Sequence, residues 1–265
     1  MDAVKLPGRL FYSVDKCGSF EGLIVAPDPL DCRNLENSID MEAVIVQSQA
    51  GVTLAGGSRF SAGLLARARI WAPRLVAADG GADRLLALGA RPEAVIGDFD
   101  SVSAKAQAQL AGRLFPIREQ MTTDFDKALR SIDAPFVLGL GFAGQRLDHG
   151  LAVLNGLVRH PEQRCLILSG TDVVFLAPLE MRLDLPVGSR ISLFPMGPVT
   201  GQSEGLRWPL QGLDFAPDGL IGTSNAVTGP VRLAFSARKM QVLLPLAALE
   251  AALHGLGVLP DVRGG

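Results

Sequence analysis

Short apolar runs alternate with helical patterns over residues 44–180. The runs predict six strands, at residues 52–55, 75–78, 94–96, 114–115, 136–138 and 165–168. Helical spacing between them predicts five helices, at residues 61–70, 82–88, 104–111, 124–132 and 148–160. Strict alternation of strands and helices indicates a parallel sheet with helices on both faces.

The pattern changes near residue 180, where short alternating segments are separated by glycine and proline. Six strands are predicted there, at residues 181–185, 190–194, 199–205, 220–223, 231–235 and 240–244, before a helix at 246–253. Such spacing is typical of an antiparallel β-sandwich or barrel. We therefore predict an α/β domain at 41–180 and a β-sandwich domain at 181–258. Residues 1–40 show little periodicity and form an N-terminal extension, or lie outside the natural product if translation begins at Met41.

Composition narrows the classes of partner. Lys and Arg number 25 and Asp and Glu 27, so there is no basic excess that would favour nucleic acid or a membrane surface. No apolar run approaches the ~20 residues that span a bilayer. Three widely spaced cysteines, Cys17, Cys32 and Cys165, indicate reduced thiols. We expect a cytoplasmic protein with small-molecule ligands, no nucleic acid and no membrane.

The candidate chemistry centres on carboxylates. Asp98 and Asp100 follow a predicted strand, and Asp124 begins a predicted helix. Three carboxylates of this kind can form an all-oxygen site for Mg²⁺ shared with substrate phosphates. Each motif also has a structural explanation, since Asp-x-Asp-Ser is common in turns and Thr123 with Asp126 fits a capping box. All the polar clusters nevertheless follow predicted strands at one sheet edge, where ligands of parallel sheets bind, which favours metal-assisted phosphate chemistry.

Two glycine-containing loops at the same edge are candidates for phosphate contact. Gly80 and Gly81 follow Asp79 and allow a close backbone approach to an anion, although a tight turn explains them equally well. The loop that ends at Gly144 has the glycine spacing of a dinucleotide-binding fingerprint. A dinucleotide site is not expected there, because the loop comes late in the sheet order and no acidic residue that could bind a ribose follows it. Beyond it, Arg146 can fork onto phosphate and Asp148 can cap the helix or orient Arg146. We favour a structural role for His149.

Six short motifs, in order, give the chain its resemblance to a known family. They are Asp79-Gly80-Gly81-Ala82-Asp83, Gly97-Asp98-Phe99-Asp100-Ser101, Thr123-Asp124-Phe125, Gly144-Gln145-Arg146-Leu147-Asp148-His149, Gly205-Leu206-Arg207-Trp208-Pro209 and Gly222-Thr223-Ser224-Asn225. From about residue 41 to 253 the chain resembles the thiamine pyrophosphokinases. Haloacid dehalogenase-like phosphatases also carry an Asp-x-Asp pair, but at the end of their first strand, and rank well below.

The resemblance implies a Rossmann-like nucleotide domain followed by a β-sandwich, in a homodimer with thiamine bound between subunits. It implies transfer of pyrophosphate from ATP to thiamine, with Mg²⁺ held by the catalytic carboxylates Asp98, Asp100 and Asp124. By similarity the ATP site would contain Asp79, Gly80, Gly81, Gly144, Arg146 and Asp148, with Lys127 reaching a phosphate or remaining solvated. By similarity, thiamine would contact Trp208, Ser224 and Asn225, and Gln120 would face the substrates.

One position departs from the family pattern. An acidic residue usually lies three positions before the aspartate that matches Asp124, and here Met121 occupies it. A thioether cannot hold Mg²⁺ in competition with water. Two hypotheses follow: an active thiamine pyrophosphokinase, and a catalytically degenerate relative that binds nucleotide or thiamine without turnover.

Overall fold

Parallel strands build the first half of the main sheet. The computed structural model describes residues 44–144 and 146–259, so the predicted extension at 1–40 lies outside the described residues. The strands up to residue 168 are β1 (Val46–Gln47), β2 (Val52–Ala55), β3 (Arg74–Ala78), β4 (Ala94–Gly97), β5 (Leu114–Pro116), β6 (Ile132–Asp133), β7 (Val137–Leu140) and β8 (Cys165–Leu168). The order in the sheet is β8-β7-β2-β3-β4-β5, all parallel, while β1 pairs with β6 apart from it. The predicted parallel sheet is confirmed.

Helices cover both faces of this sheet, as predicted. They are α1 (Ala62–Trp71), α2 (Gly81–Ala87), α3 (Ala104–Gln109), α4 (Asp124–Arg130) and α5 (Leu147–Arg159). Successive strand residues point to opposite faces. Leu54 packs into a core with α4 and α5, whereas its neighbour Ala55 packs into a second core with α1, α2 and α3. The near-continuous apolar strands of the sequence follow from this burial on both faces.

Antiparallel strands extend the same sheet beyond β8. They are β9 (Asp172–Leu176), β10 (Glu180–Leu183), β11 (Arg190–Pro195), β12 (Val199–Leu206), β13 (Asp214–Phe215), β14 (Gly222–Phe235) and β15 (Met240–Pro245). The order β8-β9-β15-β11-β14-β12-β13 is continuous, and β10 pairs with β14 off this path. The further antiparallel β domain is thus confirmed; the Rossmann-like label, the sandwich and the limits at 41–180 and 181–258 stay predictions.

The antiparallel region differs from the predicted pattern at three strands. β9 and β13 were not predicted, and the strands expected at 220–223 and 231–235 are parts of the single β14. Gly229 and Pro230 suggested a break, but the register of β14 shifts against β12 around them. Proline is tolerated at such a bulge because the ladder is already interrupted.

The chain described here ends in a short helical segment. A 3₁₀ turn (Leu246–Ala248) leads into α6 (Leu249–Gly255), where one helix was predicted. Leu249, Ala252 and Leu253 of α6 are buried in the core that also contains α1. Among the described residues, no helix has the length and apolar character needed to cross a membrane.

Candidate active site

Three carboxylates meet at the carboxyl edge of the parallel sheet. Asp79 follows β3, Asp98 follows the adjacent β4, and Asp124 is the first residue of α4. One carboxylate oxygen from each lies within 4.8 Å of those of the other two. Asp100 is not part of this group; its side chain accepts a hydrogen bond from the Ser101 hydroxyl at 2.8 Å. The structure therefore groups Asp79, rather than Asp100, with Asp98 and Asp124.

The backbone is bent sharply where these side chains emerge. Asp79 has a φ of 43° and Phe99 a φ of 67°, in the left-handed region that a bulky residue such as phenylalanine rarely adopts. A Cβ at Gly97 would lie 3.0 Å from the Asp79 Cβ and 3.3 Å from Asp124 Oδ1, so only glycine leaves room for both aspartates. Strain of this kind costs about 1–3 kcal/mol for each residue and is concentrated at functional sites.

Helix α4 fixes the position of Asp124. The Thr123 hydroxyl accepts from the Asp126 amide, and the Asp126 carboxylate accepts from the Thr123 amide, which completes a capping box. Asp126 also lies 3.1 Å from His160 Nε2 at the end of α5. The structural explanation of Thr123 and Asp126 is therefore correct, and this cap holds Asp124 at the sheet edge.

Asp79 is a buried carboxylate with one unused oxygen. Its side chain is 4% exposed, and Oδ2 accepts from the Ser101 amide at 3.2 Å. Oδ1 has no hydrogen-bond partner among the described residues. Burial, and then the charge of Asp124, raises the pKa of Asp79 to about 6. A buried oxygen of this kind beside two other carboxylates fits a hard divalent cation, which prefers oxygen ligands.

Lys127 supplies the positive charge within the cluster. Its side chain is 2% exposed, and Nζ donates to Asp98 Oδ2 at 3.1 Å and to Asp124 Oδ1 at 3.2 Å. Burial disfavours the ammonium, but the two carboxylates outweigh it and raise the pKa of Lys127. Burial also opposes ionisation of Asp98, and hydrogen bonds led by Lys127 lower its pKa. Lys127 is therefore a buried counter-ion, not the solvated charge considered from the sequence.

The segment before α4 closes one side of the cluster. Gln120 Nε2 donates to Asp98 Oδ2 at 3.0 Å, so this side chain lies beside the carboxylates. Met121 is 79% exposed, and its amide donates to Glu119. The Glu119 carboxylate also accepts from Thr122 and from Arg130 Nη2 at 3.0 Å. Because Glu119 is engaged in this way, it does not replace the carboxylate that is missing at position 121.

The glycine loops adjoin the cluster along the sheet edge. Gly80 is the N-cap of α2, and a Cβ at Gly81 would lie 2.0 Å from the Ala55 carbonyl oxygen. Close packing of α2 on β2 is thus enough to require Gly81. Gly144 lies in the loop after β7, against Ser58 of the loop after β2. The turn explanation of Gly80 and Gly81 accounts for their packing, while their contact with ATP stays a prediction.

Arg146 and Asp148 lie at the start of α5. Both are exposed, and the guanidinium donates to the carboxylate at 2.6 and 3.2 Å. The hydrogen bond from Arg146 lowers the pKa of Asp148. His149, in the next position, is exposed. The pair leaves the outer face of Arg146 open to an anionic ligand, which is compatible with the predicted contact to phosphate.

A second concave region lies in the antiparallel part of the molecule. A cavity of about 400 Å³ is lined by Trp208, Pro209, Leu210, Leu213, Phe215, Leu220, Ile221, Gly222, Thr223, Ser224 and Asn225. Trp208 is 54% exposed, and the Arg207 guanidinium lies 5.0 Å from the centre of its ring. An exposed indole beside an apolar cavity can stack on a flat cationic ring. All three residues predicted to contact thiamine in this region therefore line one cavity.

Asn225 fixes the loop that carries Trp208. Its buried amide donates to the Trp208 carbonyl at 2.7 Å and accepts from the Trp208 amide at 3.2 Å. The Ala226 amide donates to the same Asn225 oxygen at 2.8 Å. The Asn225 side chain thus forms the two backbone hydrogen bonds that a neighbouring strand would otherwise form with Trp208. Its hydrogen bonds orient Trp208, and a direct contact to thiamine stays a prediction.

Family models match both the parallel and the antiparallel part of the described fold. The family model for the thiamin pyrophosphokinase catalytic domain matches residues 65–168, and the model for the thiamin pyrophosphokinase vitamin B1 binding domain matches residues 179–239. The two matches together cover more than half of the chain. The chain belongs to the thiamin pyrophosphokinase family. The carboxylate cluster lies within the first matched region, and all residues that line the Trp208 cavity lie within the second.

Plant members of the family are similar in sequence. Thiamine pyrophosphokinase 1 of Oryza sativa subsp. japonica is 29% identical over 204 residues, which is 64% of this chain and 76% of the relative. Thiamine pyrophosphokinase 1 of Arabidopsis thaliana is 29% identical over 185 residues, or 57% of this chain and 69% of the relative. Both alignments therefore span more than two thirds of the relative.

Solved structures of family members share the fold. Thiamin pyrophosphokinase from Candida albicans superposes with a TM-score of 0.62 at 16% identity, covering 76% of this chain and 92% of that one. The yeast enzyme superposes with a TM-score of 0.61 at 16% identity, covering 78% and 93%. At this identity the likeness concerns the fold alone.

Proposed function

We propose that the protein transfers a pyrophosphoryl group from ATP to the hydroxyethyl oxygen of thiamine, which gives thiamine diphosphate and AMP. The observation that carries the proposal is the Asp79, Asp98 and Asp124 cluster at the carboxyl edge of the sheet, within the match to the family's catalytic domain. Transfer of this kind needs alignment and charge neutralisation more than a protein nucleophile. The site has oxygen ligands and a buried lysine for that purpose.

Mg²⁺ would be held by Asp98 and Asp124, with the unpartnered Oδ1 of Asp79 as a third oxygen and Asp100 at the open side. When bound, the ion supplies neutralisation of charge on the phosphate oxygens. Asp79 suits this role because its oxygen is already desolvated and has no competing donor among the described residues. Asp100 remains within reach of the site through its loop, since its amide donates to Asp98 Oδ1 at 3.3 Å.

The remaining polar groups would orient ATP. Lys127 pairs with both Asp98 and Asp124 and so offsets part of the repulsion between these two carboxylates. Gln120 hydrogen-bonds Asp98 and lies where a substrate approaches the cluster. Arg146, paired with Asp148, offers a guanidinium that can take phosphate oxygens in a bidentate manner. The loops at Gly80, Gly81 and Gly144 would let the triphosphate approach the backbone.

Thiamine would occupy the cavity beside Trp208. The indole would stack on the cationic ring system, which contributes about 1–2 kcal/mol when the pair is desolvated, and the Ser224 hydroxyl would hydrogen-bond the pyrimidine. Asn225 supports this arrangement by holding the Trp208 backbone. We further propose a cytoplasmic homodimer in which a second subunit brings thiamine to the ATP site.

A catalytically degenerate binding protein is the second candidate. Met121 favours it, because this side chain is exposed where relatives usually carry a carboxylate, and Glu119 beside it is engaged with Thr122 and Arg130. If the missing carboxylate binds the metal directly, turnover would be impaired. The cluster of Asp79, Asp98 and Asp124 is complete without it, and for that reason we place the active enzyme first.

The test is formation of AMP and thiamine diphosphate from ATP, Mg²⁺ and thiamine by the purified protein. Met121→Asp and Asp98→Asn would be measured in parallel, the second as a control for contaminating activity. Turnover that is lost in Asp98→Asn supports the active enzyme. Thiamine binding without turnover, with activity gained in Met121→Asp, would replace it with the degenerate relative. Neither turnover nor thiamine binding in any variant would refute the proposed substrate.

A further inference from the structure

The strand that lines the thiamine cavity contains a bulge. Ile191 of β11 pairs with Asn225 of β14, but Leu193, two residues on, pairs with Gly222, three residues back. Ser192 therefore faces two residues of β14, Thr223 and Ser224. Bulges of this kind often lie next to active sites, where they redirect a side chain. Both Thr223 and Ser224 line the cavity.

Ser224 has a backbone conformation unusual for its residue type. Its φ is 61°, in the left-handed region that favours glycine, and its side chain is exposed at the cavity. A residue persists in such a conformation only when its surroundings impose it. Asp79 and Phe99, the two other non-glycine residues with positive φ in the described chain, lie at the carboxylate cluster. Among the described residues, positive φ at a non-glycine position is therefore confined to the carboxylate cluster and this cavity.

The Ser192 hydroxyl holds the backbone of Ser224. The Ser224 amide, displaced from the regular ladder by the bulge, donates to the Ser192 hydroxyl oxygen at 3.0 Å. Ser192 is 6% exposed, so water does not readily replace its hydroxyl. Leu243 of β15 lies opposite Ser192 on the other side of β11. Ser192 thus lies on a strand that is paired on both sides, and its buried hydroxyl contacts the bulge without lining the cavity.

Arg190 also hydrogen-bonds the Ser192 hydroxyl, and Asp172 holds Arg190 in turn. Arg190 Nη1 donates to Ser192 Oγ at 3.3 Å, and Arg190 Nη2 pairs with the Asp172 carboxylate. Asp172 is itself fixed at the start of β9 by a hydrogen bond from the Thr171 hydroxyl at 2.7 Å. Because a hydroxyl can accept two hydrogen bonds, Ser192 serves Arg190 and Ser224 together. A polar chain thus runs from β9 through β11 to the bulge in β14.

We propose that Ser192 is a positioning residue for thiamine, whose hydroxyl locks Ser224 in the left-handed conformation that turns the Ser224 side chain into the cavity. The inference rests on the proposed function, since it assigns a purpose to that site's second substrate. Ser192 does not touch thiamine. Its loss lets the bulge relax, and the Ser224 hydroxyl then leaves the position from which it binds the ligand.

The experiment compares Ser192→Ala with Ser192→Thr, which keeps the hydroxyl and suits a strand. Ser236→Ala is the matched control, because the Ser236 hydroxyl also accepts a backbone amide, that of Thr200, at an exposed position outside the cavity lining. Michaelis constants for thiamine and for ATP are measured in each variant. Amide hydrogen exchange at Ser224 is measured in each without ligand. Ser192→Cys, which keeps the volume with a weaker acceptor, serves if the alanine variant does not fold.

In Ser192→Ala we expect the KM for thiamine to rise about tenfold, the effect of one lost hydrogen bond, with kcat and the KM for ATP within about twofold of the unaltered protein. Amide hydrogen exchange at Ser224 should also become at least about tenfold faster. In Ser192→Thr, the KM for thiamine and the exchange rate at Ser224 should both match those of the unaltered protein. An unchanged KM for thiamine, an unchanged exchange rate, or an equal loss in Ser236→Ala would overturn the inference. If the unaltered protein forms no product and binds no thiamine, the proposed function fails, and the exchange rate still tests the contact by itself.

Discussion

Replacement of Lys127 by methionine should destabilise the fold in a way that Mg²⁺ reverses. At an effective dielectric constant near 20, each pair at 3.1–3.2 Å contributes about 5 kcal/mol of attraction. Burial of the ammonium costs several kcal/mol, so the net loss on breaking such a pair is about 3–5 kcal/mol. In Lys127→Met, Asp98 and Asp124 would remain beside Asp79 with no cation among them.

Urea unfolding in EDTA and then in Mg²⁺ measures this effect. We expect Lys127→Met to lose about 3–5 kcal/mol in EDTA and to recover much of it in Mg²⁺, because a ligand that binds the folded state stabilises it. Lys105→Met is the matched control, since Lys105 is exposed on α3 and should change stability by under about 0.5 kcal/mol. A loss below about 1 kcal/mol in EDTA would refute the assignment of Lys127 as the counter-ion of this cluster. A loss that Mg²⁺ leaves unchanged would contradict the metal site proposed there.

Three further changes test other parts of the site. Asp79→Asn should gain about 1–2 kcal/mol of stability in EDTA while turnover falls, because a buried carboxylate without a full set of donors becomes neutral; equal or lower stability would contradict this. Trp208→Ala should raise the KM for thiamine about 5- to 30-fold and leave that for ATP unchanged. Burial opposes ionisation of Glu119, but donors led by Thr122 and Arg130 lower its pKa to about 2. Glu119→Gln should therefore cost about 1–2 kcal/mol at pH 7 in urea titrations, and the difference from the unaltered protein should shrink as pH falls from about 4.5 towards 2.

The parallel half of the fold could be predicted from the sequence because its strands are buried on both faces. Val52, Val76 and Val95 belong to runs in which almost every residue is apolar, so strand and helix patterns are clearly separated. β9 was missed even though Ser169, Gly170 and Thr171 separate it from β8 and are typical of a tight turn. β14 was divided because a local pattern does not show that β12 shifts its register around Gly229 and Pro230.

The site was predictable to the extent that strand ends mark it. Asp79, Asp98 and Asp124 each follow a recognisable strand or begin a helix, so their shared edge could be inferred. The burial of Lys127 could not, because a lysine one turn into a helix has the same local pattern whether it faces solvent or two carboxylates. Ser192 gave no signal at all. Its role depends on a bulge formed with a strand about 30 residues away.

The continuity of the sheet has a mechanical consequence. β9, which follows the parallel strands in sequence, lies between β8 and β15, and β15 pairs with β11, the neighbour of the cavity-lining strand β14. One buried core also runs from Ala55 in β2 to Leu253 in α6. A chain cut at residue 180 would separate β9 from β15, so each strand would lose one of its two hydrogen-bonded neighbours. The carboxylate edge and the Trp208 cavity are thus joined through one continuous sheet, which we expect to unfold in a single transition.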